Sequence, residues 1–218
     1  MFSIIKRDKQ TKARLGVLTT PHGVINTPSY VFVGTYGKFR HLSSRDIKKT
    51  GAQLIIANTF HLWERAKMSK LKEGFIHKSF GLKVPIMTDS GGFQVLSLAF
   101  GDKNKVSKFM ADGTPTDRTH ERTKIRITSK GVHFKYKDKE LFLGPELSMK
   151  LQSKIGADII FAFDHITSPL DDYEYNGKAV ELTDRWARIC LKKRDPKQML
   201  FGITQGGLFK NLRIKSAK

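Results

Sequence analysis

The chain has 218 residues, with 40 Lys and Arg against 20 Asp and Glu, a formal charge of +20 and a pI near 10.1. That length suits one hydrophobic core, and so basic a chain carries the electrostatic footprint of a nucleic-acid binder rather than of an ordinary small-molecule enzyme. A single cysteine, Cys190, excludes a disulfide framework and an all-cysteine metal site, and no apolar run has the length of a signal peptide or membrane span, so the expectation is a cytoplasmic protein with no membrane association.

Residues 2–33 read as β-structure. Gly16–Thr19 and Gly23–Thr27 make a hairpin pattern around Pro21-His22-Gly23, and Tyr30–Val33 reads as a first buried strand. Ser43-Ser44-Arg45-Asp46 is a helix start. Leu54–Ala57 is the next strand, with Asn58-Thr59 at its end, and a helix is expected from about His61 to Lys72. Pro85–Thr88 is a third strand and delivers Asp89. Strand, helix and strand in repetition predict a parallel sheet with right-handed crossovers.

The pattern breaks between Gly101 and Lys139, where basic residues thicken. Asp112–Asp117 is polar and turn-rich and reads as a mobile loop. Lys124–Thr128 and Val132–Tyr136 alternate apolar and polar residues around Gly131, which predicts a small antiparallel hairpin. Pro145-Glu146 opens a helix, and Ala157–Phe163 returns to the parallel sheet and ends on Asp164. A helical pattern around Trp186 should bury Cys190 as a small apolar residue. Basic residues thicken again from Arg185 to Lys218, and Phe201–Gly207 reads as a short strand ending on the Gln205 amide and a Gly pair.

Three strands therefore end on polar groups, at Asp89, Asp164 and Gln205. The C-terminal edge of a parallel sheet is where α/β folds place their chemistry. A lone Asp89-Ser90-Gly91-Gly92 is an ordinary tight turn, but here it has two companions. Two carboxylates and an amide match the polar edge of a planar heterocycle: carboxylates accept from ring N–H and amino groups, and an amide donates to a carbonyl oxygen. Phe93 offers a stacking face for a flat base. Asp89, enclosed beside that ring, is expected to have a raised pKa suited to moving a proton. Ser90 has no histidine assigned to it and is not read as a nucleophile. His22, His61 and His77 have no metal-like spacing and are read as structural or surface residues, so no metal site is expected.

These segments together resemble the tRNA-guanine transglycosylases, the base-exchange enzymes of queuine-type tRNA modification. The resemblance runs through Leu18–Gly23 with Thr27-Pro28, Val33-Gly34-Thr35, Gly51-Ala52-Gln53, Asn58–Leu62, Thr88–Gln94, Phe142-Leu143 with Pro145-Glu146, Ser148-Met149, Gly156–Ile159, Phe163-Asp164 and Gln205-Gly206-Gly207. It implies a (β/α)8 TIM-barrel type of α/β fold. Residues 1–218 would form a single, incomplete barrel domain of about the first five strand–helix units, with an N-terminal β-hairpin and a β excursion near 101–139. It implies that Asp89 contacts the base and accepts its proton, that Ser90, Gly91, Gly92 and Phe93 form the pocket wall, that Asp164 recognises the base, and that Gln205 with Gly206 reads its exocyclic oxygen. The implied substrates are tRNA and guanine or a 7-deazaguanine of the queuine or preQ1 type.

Two departures stand out. His165-Ile166 occupies the place where the family often has Glu-Cys, which bears on the choice of deazaguanine, and Lys105–Thr123 fits the family poorly. The family's nucleophilic aspartate, in a Phe-Asp and Pro-Thr-Arg context, and its Cys-rich zinc loop do not occur in these 218 residues. The chain is therefore expected to hold no cofactor itself, to be inactive alone, and to depend on a second chain or a C-terminal half that carries nucleophile and zinc. A sheet opened after five strands would also leave an edge prone to association. The alternative is a noncatalytic, basic tRNA-binding subunit derived from the same fold.

Overall fold

A computed structural model of the chain describes residues 1–70, 74–99, 125–137, 139–169 and 171–218. The expected loop at Asp112–Asp117 lies outside the described residues. The chain forms two compact units. One comprises Met1–Asp89, Lys150–Phe161 and Arg194–Phe201, and the other Ser90–Met149, Ala162–Lys193 and Gly202–Lys218.

The first unit contains the parallel sheet. Strands β1 (Phe2–Arg7), β2 (Arg14–Thr20) and β3 (Gly23–Thr27) make an antiparallel meander, and the expected hairpin turns at Pro21-His22 between the paired Thr20 and Gly23. Five strands follow in a second sheet: β4 (Phe32–Val33), β5 (Ile55–Ala57), β6 (Ile86–Thr88), β10 (Ile159–Phe161) and β11 (Met199–Phe201). Each is parallel to its neighbour, and their order in the sheet is their order in the chain. Buried on both faces, such strands need continuous apolar runs, which Ile55-Ile56-Ala57 and Ile159-Ile160-Phe161 supply. Leu18 and Ile25 of the meander pack with Leu54, Met87 and Ile159 into one apolar cluster.

Short helices link the strands. Helix α1 (Ser44–Lys49) starts where the sequence predicts, because Ser43 and Asp46 exchange hydrogen bonds in a capping box. Helix α2 (Thr59–Lys70) begins two residues earlier than expected, since Asn58 Oδ1 accepts from the His61 N–H and closes the first turn. Helix α3 (Phe75–Phe80) ends at Gly81. Strand β11 starts two residues before the expected Phe201, and Gln205, expected at its end, lies four residues beyond it. The cause is Gln198, whose amide donates to the carbonyls of Gln152 and Ala157 and fixes Met199 beside Ile159.

The second unit holds helix α4 (Gly92–Ala99) and a separate antiparallel sheet of β7 (Ile125–Thr128), β8 (Gly131–Tyr136) and β9 (Lys139–Leu143). The β7–β8 hairpin is the one predicted. Strand β9 was not, because Lys139-Glu140 gives it a charged start, and only pairing with Val132–Tyr136 recruits it. Helices α5 (Pro145–Ile155), α6 (Tyr173–Lys193) and α7 (Lys210–Ala217) are the remaining elements among the described residues. Helix α6 buries Ala179, Val180, Trp186 and Cys190, and the Trp186 indole donates to the Ser129 carbonyl. Cys190 is fully buried, as its apolar setting predicts, and burial pushes its thiol up to about 11. No described helix is long and apolar enough to cross a membrane.

Candidate active site

The three polar residues expected at strand ends fall into two local groups. In the first unit, Asp89 directly follows β6. Its N–H donates to the Ala57 carbonyl at the end of neighbouring β5. Its carboxylate accepts from Asn58 Nδ2 at 2.6 Å and from the Thr59 N–H at 3.0 Å, while the Thr59 hydroxyl donates to the Asp89 carbonyl. Two parallel strands with Ala57 paired to Thr88 bring their next residues, Asn58 and Asp89, side by side. Asn58 thus both closes helix α2 and orients the acid. The sequence displayed Asn58-Thr59 at a strand end, but a role for it needs the register between β5 and β6.

In the second unit, Asp164 is the centre. It lies three residues beyond β10 and is 9% exposed. Gln205 Nε2 donates to its Oδ2 at 2.6 Å, and the Ser90 hydroxyl reaches its Oδ1 at 3.5 Å. Burial raises its pKa to about 6, and the bonds from Gln205 and Ser90 only partly offset that cost. The Ser90 hydroxyl also accepts from the Gly92 N–H, and Ser148 Oγ donates to the Ser90 carbonyl. Ser90 therefore orients Asp164 and the start of α4. Gly91, at φ 81°, makes the turn that lets this happen. Phe93, in the first turn of α4, is 46% exposed, so its ring is accessible.

Gln205 is held from behind by its own N–H, which donates to Ser216 Oγ on α7. The adjoining Gly206 has φ 115°, and a Cβ there would fall 2.7 Å from the Arg213 backbone nitrogen. Only glycine permits the loop to approach α7 so closely.

His165 stands where the family often has a glutamate. It is buried: its N–H donates to Thr183 Oγ1, its Nε2 lies 3.1 Å from the Tyr175 hydroxyl, and its ring meets the Tyr175 ring edge-on. A narrow cleft beside it is lined by Gly92, Val95, Phe163, Asp164, His165 and Trp186.

No Cys-rich zinc set is available from this sequence, whose one cysteine is the buried Cys190. The zinc implied by the family resemblance does not fit the residues present. A different donor cluster does form, from His22, His77 and Asp158. Their separation by 55 and 81 positions hides it from any spacing pattern.

Comparison with known proteins agrees with these motifs. The family model described as queuine tRNA-ribosyltransferase matches residues 8–218. A relative from Archaeoglobus fulgidus is 42% identical over 219 residues, covering 95% of this chain and 54% of its own length. The queuine tRNA-ribosyltransferases of Bacillus licheniformis and Anoxybacillus flavithermus are each 41% identical over 222 residues, covering all of this chain and 52% of their own length. The chain thus spans about half the length of the curated relatives it matches. A match over residues 8–218 at this identity shows that the chain belongs to the queuine tRNA-ribosyltransferase family.

Proposed function

We propose that this chain supplies the base-binding half of a tRNA-guanine transglycosylase, which exchanges guanine for a 7-deazaguanine in a tRNA anticodon. The observation that carries the proposal is the buried Asp164 carboxylate with the Gln205 amide on one oxygen and the Ser90 hydroxyl near the other. Guanine presents ring N–H and amino donors beside a carbonyl acceptor. A carboxylate next to an amide is the complement of that edge. When the base binds, its donors take over Asp164, and Gln205 turns its freed N–H to the exocyclic oxygen, with Gly206 alongside. Phe93 stacks on the ring, and Gly91 and Gly92 let the backbone come close. Asp89, aimed by Asn58 and Thr59, accepts the ring proton.

The finer fold follows from the same proposal: residues 1–218 are a single, incomplete (β/α)8 barrel. The chain-order arrangement of five parallel strands supports it. The covalent nucleophile and the zinc come from residues outside these 218, in a further C-terminal segment or a second chain. The chain works in the cytoplasm, with tRNA and a guanine-type base as its substrates. The test is incorporation of labelled guanine into tRNA. The 218 residues alone should incorporate none, and adding the C-terminal half of a relative should restore exchange. Exchange by the 218 residues alone would refute the division of labour.

The charge of +20 favours one alternative, a noncatalytic tRNA-binding subunit. It predicts tRNA binding that weakens steeply with salt and survives Asp89→Ala, with no guanine binding at all.

A further inference from the structure

We propose that His22, His77 and Asp158 form a binding site for a divalent transition-metal ion such as Zn2+, which clamps the β2–β3 turn and helix α3 to the start of β10. The three side chains bring one donor atom each to within 4.8 Å of one another. His22 Nδ1 lies 2.8 Å from Asp158 Oδ1, and His77 Nε2 lies 3.3 Å from Oδ2. Two imidazoles and one carboxylate are a donor set that suits Zn2+, Co2+ or Ni2+ and disfavours Mg2+, which prefers oxygen ligands.

The setting is that of a built site. The Asp158 side chain has no solvent exposure. The backbone N–H groups of His22 and Ile86 donate to its two oxygens at 3.2 and 2.9 Å, which fixes the orientation of the carboxylate before any ion arrives. His77 Nδ1 is buried without a hydrogen-bond partner, and Nε2 has only its 3.3 Å approach to Asp158 Oδ2, long for a hydrogen bond. A buried imidazole so poorly paired is costly unless an ion takes up the nitrogen that faces the carboxylate.

The His22 side chain, by contrast, is 46% exposed and stacks on His77 with ring centroids 3.6 Å apart and planes 21° apart. Stacked rings point their nitrogens in parallel. The ion therefore draws the accessible His22 ring off the stack, replaces the proton between Nδ1 and Oδ1, and leaves its fourth position open to water. Asp158 precedes β10 and Ile86 begins β6, so the site sits at the N-terminal edge of the sheet, whereas Asp89 follows the C-terminal end of β6. Its role is structural, and it is independent of base binding.

Equilibrium dialysis of the chelator-treated chain against Zn2+, with Mg2+ as control and Co2+ as a spectroscopic probe, tests the site. The expected result is one Zn2+ per chain, a thermal midpoint that rises with Zn2+ but not Mg2+, and Co2+ absorption of a tetrahedral centre. His22→Ala, at the accessible ligand, should weaken binding by about tenfold or more and abolish the thermal shift. His77→Gln should do the same while filling the same space, and His41→Ala, at an exposed histidine elsewhere, should change nothing. Zn2+ binding of equal strength in His22→Ala and His77→Gln, or no binding at all, overturns the proposal.

Discussion

Asp164→Asn should stabilise the protein at neutral pH while abolishing its recognition of a base. Asp164 has a pKa of about 6 in the folded chain against 3.8 for an unperturbed aspartate. A carboxyl whose folded pKa is raised contributes most below its unfolded pKa, and that contribution is lost as pH rises through the folded value. Two units correspond to about 3 kcal/mol lost between roughly pH 4 and pH 6. Asparagine removes the buried charge and keeps an acceptor oxygen for Gln205 Nε2. Its amide nitrogen meets Ser90 Oγ, which can accept. Imperfect hydrogen bonding takes back about 1 kcal/mol. The net gain at pH 7.5 is therefore about 2 kcal/mol, or about 4–8 °C for a chain of this size. At pH 4, where the charge penalty is gone, the same hydrogen-bonding loss should leave the variant about 2–4 °C less stable than the parent chain. Urea denaturation and thermal melts at both pH values provide the assay. An equal difference at pH 4 and pH 7.5, or a less stable variant at both, would refute a charge-burial penalty at Asp164.

Other substitutions probe the supports of the site. Asn58→Ala removes both the closure of α2 and a donor to Asp89, and chemical denaturation should report a loss of about 1–3 kcal/mol. Gly206→Ala forces a Cβ against the Arg213 backbone at φ 115° and should cost about 1–3 kcal/mol, whereas Gly177→Ala, inside α6 with open space around it, should gain about 0.5–1 kcal/mol. Thermal melts that moved both glycine variants in the same direction would contradict these backbone assignments. Cys190, buried and with its thiol raised to about 11, should resist a disulfide reagent at pH 8 in the native chain and react at once in denaturant. Prompt labelling of the native chain would show that α6 does not pack as described.

Much of this was legible in the residues because the signals were local. Apolar runs marked β5, β6 and β10, the Ser43–Asp46 box marked α1, and alternation around Gly131 marked the β7–β8 hairpin. Asp89, Asp164 and Gln205 could be named because each follows an apolar run. What stayed hidden depends on partners distant in sequence. Strand β9 exists only as the mate of β8. The start of β11 depends on where Gln198 finds carbonyls from Gln152 and Ala157. Asp89 is held by Asn58 and Thr59, donors that only the register between β5 and β6 brings to it, and the raised pKa of Asp164 depends on its burial. Likewise, histidines at 22 and 77 read as unrelated until Asp158 joins them.

Base recognition by Asp164 is the central claim, and equilibrium binding of guanine to the 218-residue chain tests it most directly. The account predicts saturable binding that a 7-deazaguanine competes away and that Asp164→Ala abolishes while the variant stays folded. Guanine binding unchanged in Asp164→Ala would contradict it.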